Sequence, residues 1–278
     1  MVDYNLGETL LKIDNVCLDY EGTSVLKNVS AEIKNITRPG ITTGQIIGFL
    51  GPSGSGKTQL FRIIAGLNPP TSGKVTLLGK EEHVGAGEVG VVAQNYPLFE
   101  HRTVLSNLIL AAKQKEKSTK VAKDKARELL SQFDLLDRAL CYPAQLSGGQ
   151  RQRCAILQQI LCSEHFLLLD EPFSGLDLIM LEKTGKLLSK IAAMHDLNTI
   201  IVITHDITAA ASISDHLWVL GKDRGADGVH VPGSRILKEY NLIERGLAWE
   251  PDIVTSPLLM DFVRDLKDEF RNLFEKRV

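Results

Sequence analysis

The sequence predicts an α/β fold: a mostly parallel sheet, an N-terminal antiparallel β subdomain and an inserted helical subdomain. Three observations carry this. Short apolar strands alternate with amphipathic helices before and after the middle of the chain. One of those strands runs into a Gly-rich loop and another into a pair of acids. A purely helical block interrupts the alternation once, between Asn95 and Leu146. Strand–helix–strand connections are right-handed crossovers, so alternation of this kind builds a parallel sheet.

Residues 10–20 and 25–33 alternate apolar and polar around Glu21-Gly22, which predicts two antiparallel strands joined by a turn. Residues 36–44, with Pro39, Gly40 and Gly44, are expected to form a loop or hairpin elaboration. Ile46-Ile47-Gly48-Phe49-Leu50 is a continuous apolar run, the pattern of a strand buried on both faces. A Gly-rich loop and a helix over about 57–65 follow, then short strands at 74–78 and 89–93. Helical spacing covers 103–113 and 120–133, and the charged stretch Lys113 to Lys117 between them reads as a solvated helix end. Alternation then resumes with a helix to Cys162, a strand at 166–170, a helix at 178–195, a strand at 199–204 and a helix at 207–213. Residues 221–234 read as turns. The stretch 221–252, with Gly225, Gly228, Pro232, Gly233 and Pro251, has no assigned role. A last amphipathic helix carries Leu258, Leu259, Phe262, Val263, Leu266, Phe270, Leu273 and Phe274, and is expected to pack on its own domain.

The bulk numbers bound the function. With 278 residues, 44% hydrophobic and 24% charged, the chain has material for one or two cores. A net charge of −2 gives no electrostatic case for nucleic acid or an anionic membrane surface. The apolar runs are strand-sized, short of the roughly 18–20 residues of a membrane span. The first ten residues lack the pattern of a secretory signal. Cys17, Cys141, Cys154 and Cys162 show no CxxC spacing, so buried thiols in a reducing cytoplasm are expected. No internal repeat is visible.

Gly51-Pro52-Ser53-Gly54-Ser55-Gly56-Lys57-Thr58 matches GxxxxGK[ST] between a buried strand and a helix, the context a phosphate-binding loop requires. Its glycines let consecutive backbone N–H groups turn toward phosphate oxygens, at a helix N-terminus that favours anions. Lys57 reaches the β- and γ-phosphates, and the Thr58 hydroxyl can ligate Mg²⁺. Gly51, Ser53, Gly54, Ser55, Gly56, Lys57 and Thr58 are therefore the primary nucleotide-binding candidates. Phe166-Leu167-Leu168-Leu169-Asp170-Glu171 is an apolar strand ending in two carboxylates. Alone such a pair is a solvated turn as readily as a site. Beside a phosphate loop it reads otherwise, because a parallel sheet points its strand C-termini at one crevice. Asp170 then belongs to the Mg²⁺ shell, and Glu171 is placed to accept a proton from an attacking water.

His205 follows the strand at 199–204 and emerges at the same edge. It can hydrogen-bond a γ-phosphate or serve structure, and Asp206 after it fits a helix N-cap. Gln94 closes the strand at 89–93, where its amide can meet metal or water at the junction with the helical block. Tyr20 ends the first strand, and its ring can stack on a purine or pack at the rim.

These residues occur in the order of an ATP-binding cassette (ABC) ATPase, which the chain resembles from about residue 10 to 220. The resemblance places Tyr20 at the adenine-stacking position, Gly51–Thr58 at Walker A, Gln94 at the Q-loop and Leu146-Ser147-Gly148-Gly149-Gln150 at the signature. It places Phe166–Asp170 at Walker B with Glu171 as the catalytic carboxylate, Ser174 to Asp177 at the D-loop and His205 at the switch histidine. It implies a P-loop NTPase core, the cofactors ATP and Mg²⁺, and catalysis by Glu171, His205 and Gln94, with metal contacts from Thr58, Gln94 and Asp170. Ser147, Gly148, Gly149, Gln150 and Asp177 complete the nucleotide-binding set. In the family the signature of one subunit completes the nucleotide held by Walker A of another, so a second copy of the chain is implied as partner.

An ABC ATPase domain is thus expected over 1–220, with the helical subdomain at about 95–150 inserted and a C-terminal extension over 221–278. One cassette without a membrane span resembles the ATPase subunit of a bacterial-type importer, peripheral on the cytoplasmic face of the membrane. Separate permease subunits and a solute-binding protein are the partners this implies. The tail after His205 is short for the regulatory barrel of many sugar or polyamine importers, which makes nitrate/sulfonate/taurine-type cassettes the nearest resemblance. The alternative is a non-transport ABC ATPase acting in DNA maintenance or translation. Such relatives usually carry long coiled coils, tandem cassettes or basic extensions, and none is present here.

Overall fold

A computed structural model describes residues 3–225, 229–250 and 253–274. Strands β1 (Asn5–Tyr20) and β2 (Thr23–Thr37) form an antiparallel hairpin about Glu21 and Gly22. Both outrun their predicted bounds, and Arg38 bridges Ile41, so 36–44 is partly strand and partly a small hairpin. β3 (Gln45–Leu50) is buried at every residue, as its unbroken apolar run requires. Parallel to it lie β7 (Thr199–Thr204) on one side and β8 (His216–Arg224) on the other. Beyond β7, β6 (Phe166–Asp170) and then β5 (Gly90–Val92) extend the parallel set. With β4 (Ser72–Leu77) and β9 (His230–Asn241), nine strands among the described residues make one sheet in the order β4-β1-β2-β9-β8-β3-β7-β6-β5.

The helices are α1 (Lys57–Ile64), α2 (Val104–Ala112), α3 (Thr119–Gln132), α4 (Gly148–Cys162), α5 (Leu178–Ala192), α6 (Ile207–Ile213) and α7 (Pro257–Phe274). Thr103, Ser118, Ser147, Asp177 and Asp206 cap α2 to α6 through side-chain oxygens, which fixes where each helix begins. α5 ends at Ala192, three residues before its expected end.

The turns predicted at 221–234 are for the most part strand. β8 runs through residue 220 to Arg224 and pairs antiparallel with β9. Pro232 and Gly233 do not end β9 but lie where its register shifts, between Lys222↔Ser234 and Arg224↔His230. A Cβ on Gly233 would lie 2.6 Å from Cβ of Lys27, so the glycine marks a close approach to β2 and not a turn. Gly228 and Pro251 lie outside the described residues.

Period-two alternation splits the central strands between two cores. Leu167, Leu169, Ile200 and Val202 face α2, α3, α4 and α5. Phe166, Leu168, Ile201 and Ile203 face α1 and the antiparallel strands. A third core joins Leu217 and Val219 of β8 to Leu259, Phe262, Val263 and Leu266 of α7, with Phe270, Leu273 and Phe274 packed against it. The last helix thus packs on its own domain, although Leu258 stays half exposed, at 50%. Among the described residues no helix is long and apolar enough to cross a membrane. All four cysteines are free. Only Cys154 is fully buried, and burial pushes its thiol up to about 12, whereas the other three are half-buried.

Asp215 ties the third core to the sheet. Its carboxylate accepts the Ile46 N–H at 2.7 Å and a bond from the Trp249 side chain, and its backbone accepts Leu242 N–H at 2.9 Å. Burial pushes the carboxyl from the ordinary 3.8 up to about 7. Its folded value exceeds its unfolded one, so the stability it contributes is complete below the ordinary carboxylate range and declines as pH rises through about 7. Denaturant titrations across that window should show this decline, and Asp215→Asn should flatten it.

Candidate functional site

Register alone brings the candidate residues together. Leu50 of β3 pairs with Thr204 of β7, Asp170 of β6 with Ile203, and Val92 of β5 with Leu169. The strands are parallel, so Gly51, Glu171, His205 and Gln94 leave the sheet at one edge. Gln94 lies exposed in a turn two residues beyond β5.

The 51–58 loop has the form of a phosphate cradle. Gly54 and Gly56 hold φ of 77° and 81°, which L side chains rarely adopt. A Cβ on Gly51 would lie 2.5 Å from the Leu220 carbonyl oxygen and 2.7 Å from Ser55 Oγ. The N-cap of α1 is Gly56 and has no side-chain acceptor, which leaves the first-turn N–H groups to a ligand. Ser55 Oγ is buried without a hydrogen-bond partner in the protein, whereas Ser53 and Thr58 are exposed. Lys57 Nζ spans the loop, donating to Gly51 O at 2.6 Å and Pro52 O at 2.9 Å. Burial lowers its pKa, against the opposing pull of Glu171 and Asp170. Burial first, and repulsion from Glu171 second, raise that of Asp170, with Lys57 opposing.

Glu171 is the best-fixed carboxylate of the site. Its φ of 50° is unusual for a side-chain-bearing residue, and Pro172 after it disfavours the right-handed helical alternative. Glu171 N–H donates to Ile203 O at 2.8 Å. Its two oxygens face different partners: Thr204 Oγ1 donates at 2.8 Å, and His205 Nδ1 lies at 2.8 Å. The Glu171 side chain is 17% exposed and that of His205 65%, so the pair runs from interior to surface. Asp206 caps α6 through Ala209 N–H, as its position beside His205 suggested.

Tyr20 is 45% exposed, and its hydroxyl donates to Gln59 on α1, within one turn of Lys57 and Thr58. The signature residues are not at this cradle. Ser147 and Gln150 form a capping box, with Gln150 N–H donating to Ser147 Oγ at 3.3 Å and Ser147 N–H to Gln150 Oε1 at 3.0 Å. Ser147, Gly149 and Gln150 line a cleft of about 530 Å³ against Met180, Lys183 and Thr184 of α5, to which no residue of 51–58 contributes. Gly148 precedes Gly149 at the exposed start of α4. Asp177 accepts Met180 N–H at 2.8 Å as the N-cap of α5.

Sequence reasoning missed Thr204, Tyr96, Gln152 and Asp215. Thr204 ends a strand whose other residues are buried, and its place directly before His205 was the one signal available. ATP and Mg²⁺ fit what is present. The loop offers N–H donors, a buried unpaired hydroxyl and an ammonium for phosphates. Among the described residues no group of three or more His, Cys, Asp or Glu forms a metal cluster. A site with a single carboxylate, completed by a hydroxyl and an amide, suits a metal that keeps waters and phosphate oxygens, as Mg²⁺ does.

Gly51→Ala sets the value of this cradle. The added methyl meets backbone at β8, so about 1–3 kcal/mol of stability should be lost. Titration calorimetry should show weakened ATP binding, and binding at wild-type affinity would show that the loop adjusts freely.

Residues 35–174 match the family model described as ABC transporter. The sulfate/thiosulfate import ATP-binding protein of Pseudomonas syringae pv. tomato is 36% identical over 221 residues, covering 76% of this chain and 64% of that protein. The spermidine/putrescine import ATP-binding protein of Thermotoga maritima is 38% identical over 221 residues, covering 78% of this chain and 56% of that protein. The probable sulfate/thiosulfate import ATP-binding protein of Chlorella vulgaris is 35% identical, and the match covers 75% of this chain and 86% of it. The first two relatives are therefore longer proteins, of which this chain spans 64% and 56%. Among solved structures, cbiO1 of Clostridium perfringens, part of an ABC transporter complex, superposes with a TM-score of 0.72 at 25% identity, covering 85% of this chain and 90% of that one. A dimeric ATP-binding cassette bound to ADP and Pi superposes with a TM-score of 0.66 at 30% identity, covering 84% and 99%. The relatives are import ATP-binding proteins named for sulfate/thiosulfate and for spermidine/putrescine, so the expected nitrate/sulfonate/taurine likeness narrows no further than importer type. The chain belongs to the ABC transporter family, as one of its ATP-binding subunits.

Proposed function

We propose that the chain hydrolyses ATP as a dimer and drives solute import through separate membrane permease subunits. The observation that carries this is the placement of Glu171. It leaves the sheet at the same edge as the phosphate cradle, with its carboxylate held between Thr204 and His205. In this reading Lys57 and the loop N–H groups hold the phosphates, and Tyr20 stacks on the adenine. Thr58, Asp170 and Gln94 hold Mg²⁺, which when bound supplies charge neutralisation at the phosphates. Glu171 takes the proton of the attacking water as that oxygen bonds the γ-phosphorus and ADP leaves. His205, the more exposed of the pair, steadies Glu171 and meets the γ-phosphate.

The signature cleft supports a shared site. Ser147, Gly149 and Gln150 line a cleft to which their own cradle contributes nothing; with Gly148, and with Asp177 at the start of α5, they serve the nucleotide of a second copy. A dimer built this way has two equivalent sites. The cassette of this reading comprises residues 1–220, with the helical subdomain at about 95–150 facing the permease and 221–278 added to it. The chain works at the cytoplasmic face of the membrane. A solute-binding protein delivers the solute, and within the importers the nitrate/sulfonate/taurine branch is retained as a proposal beside the sulfate/thiosulfate and polyamine names of the relatives. Uptake of these solutes by cells with and without the gene chooses among them. Salt-dependent binding of nucleic acid by the purified chain would favour the non-transport alternative instead.

Two variants test the mechanism. Glu171→Gln should slow hydrolysis by about 10²–10⁴-fold, the usual contribution of a general base, yet still dimerise with ATP on size exclusion. Wild-type turnover would remove Glu171 from the catalytic role. Ser147→Asn retains a good capping residue but alters the anion-facing hydroxyl. It should abolish hydrolysis while ATP binding by the monomer is unchanged, and loss of monomer binding would contradict the division of the site between copies.

A further inference from the structure

Gln152 is 3% exposed, one of few polar side chains buried in the helical core. It lies on α4, little more than a turn beyond Ser147. A buried amide is costly unless its donors are used, and both hydrogens of Nε2 are. One goes to Tyr96 Oη at 2.9 Å and the other to Pro172 O at 2.9 Å. Tyr96 Oη itself donates to Pro172 O at 3.3 Å. One carbonyl therefore takes two donors, and it belongs to the residue directly after Glu171.

The anchors of this clasp are themselves constrained. Tyr96 holds a φ of 46° and Glu171 one of 50°, and each precedes a proline, Pro97 or Pro172. Arg151 Nε donates to Tyr96 O at 3.2 Å, and its guanidinium pairs with Glu100. The 94–100 segment, the signature helix and the Glu171 turn thus meet through the side chains of Gln152, Tyr96, Arg151 and Glu100 and the carbonyls of Pro172 and Tyr96.

We propose that Gln152 is a positioning residue for Glu171: through Pro172 O and Tyr96 it makes the placement of that carboxylate depend on where the signature helix and the 94–100 segment sit. This rests on the hydrolytic role proposed for Glu171. A displacement of α4 or of the Tyr96 loop pulls on the peptide that follows Glu171. The carboxylate is then in register with Thr204 and His205 only when the helical subdomain is seated.

Gln152→Glu tests the clasp, because a carboxylate accepts where the amide donated and regains a donor only when protonated. With Mg-ATP at about pH 8, kcat should fall at least about tenfold while KM stays within about twofold, the pattern of a lost transition-state interaction. The ratio of variant to wild-type rate should climb as pH falls toward about 6, where a buried carboxyl regains its proton. Tyr96→Phe leaves the Gln152–Pro172 bond and should cost less, about two- to fivefold. It also decides the matter if Gln152→Glu fails to fold. Unchanged kcat in both variants, a change in KM alone, or a loss of kcat indifferent to pH would overturn the proposal. If the wild-type chain itself hydrolyses no ATP, the functional reading fails separately. The clasp is then read from amide exchange at Glu171, Phe173 and Ser174, which should quicken in both variants and would overturn it by staying the same.

Discussion

Everything chemical in this molecule depends on the parallel register of β3, β7 and β6. Pairing Leu50 with Thr204 and Ile203 with Asp170 fixes, to within a residue, which side chains stand at the sheet's C-terminal edge. A slip of one position would turn every apolar residue of the strand to the opposite face. The two cores forbid this, because Leu167 and Leu169 belong to one and Phe166 and Leu168 to the other. Burial on both faces is thus what holds the site in place.

From that edge outward, burial decreases in steps. Lys57 and Ser55 are held within the loop, Glu171 by three neighbours, and His205 stands largely in solvent. The signature residues are farther still, tied into their own helix cap and not to the cradle. A lone copy is therefore well equipped to hold a nucleotide and poorly equipped to enclose one, which agrees with the dimeric relatives of the same fold.

Residues at strand ends were legible in the sequence because an apolar run announces where a buried strand stops. Asp170, Glu171 and His205 were found this way, Gly51 to Thr58 by their glycine spacing after such a strand, and the cap Asp206 by its place directly after His205. Gln152 and Asp215 were not legible. Each is a polar residue in an ordinary-looking stretch, and its meaning comes from partners far along the chain, Pro172 and Tyr96 for one and Ile46 for the other. β9 was hidden for a related reason: Pro232 and Gly233 are local breaker signals, but here they serve a bulge and a close strand crossing. Tertiary proximity, not propensity, assigned those residues.

The ends of the sheet have a consequence of their own. Its outermost strands are β4, of six residues, and β5, of three, and each by itself offers little unpaired backbone to a strand from another molecule. Long exposed edges invite fibrous or irreversible pairing, and a protein meant to meet its own copy repeatedly would be especially prone to it. With both outermost strands this short, the pairing of copies proposed above falls to loops and helix starts. Such contacts can be made and released without trapping the two chains in a shared sheet.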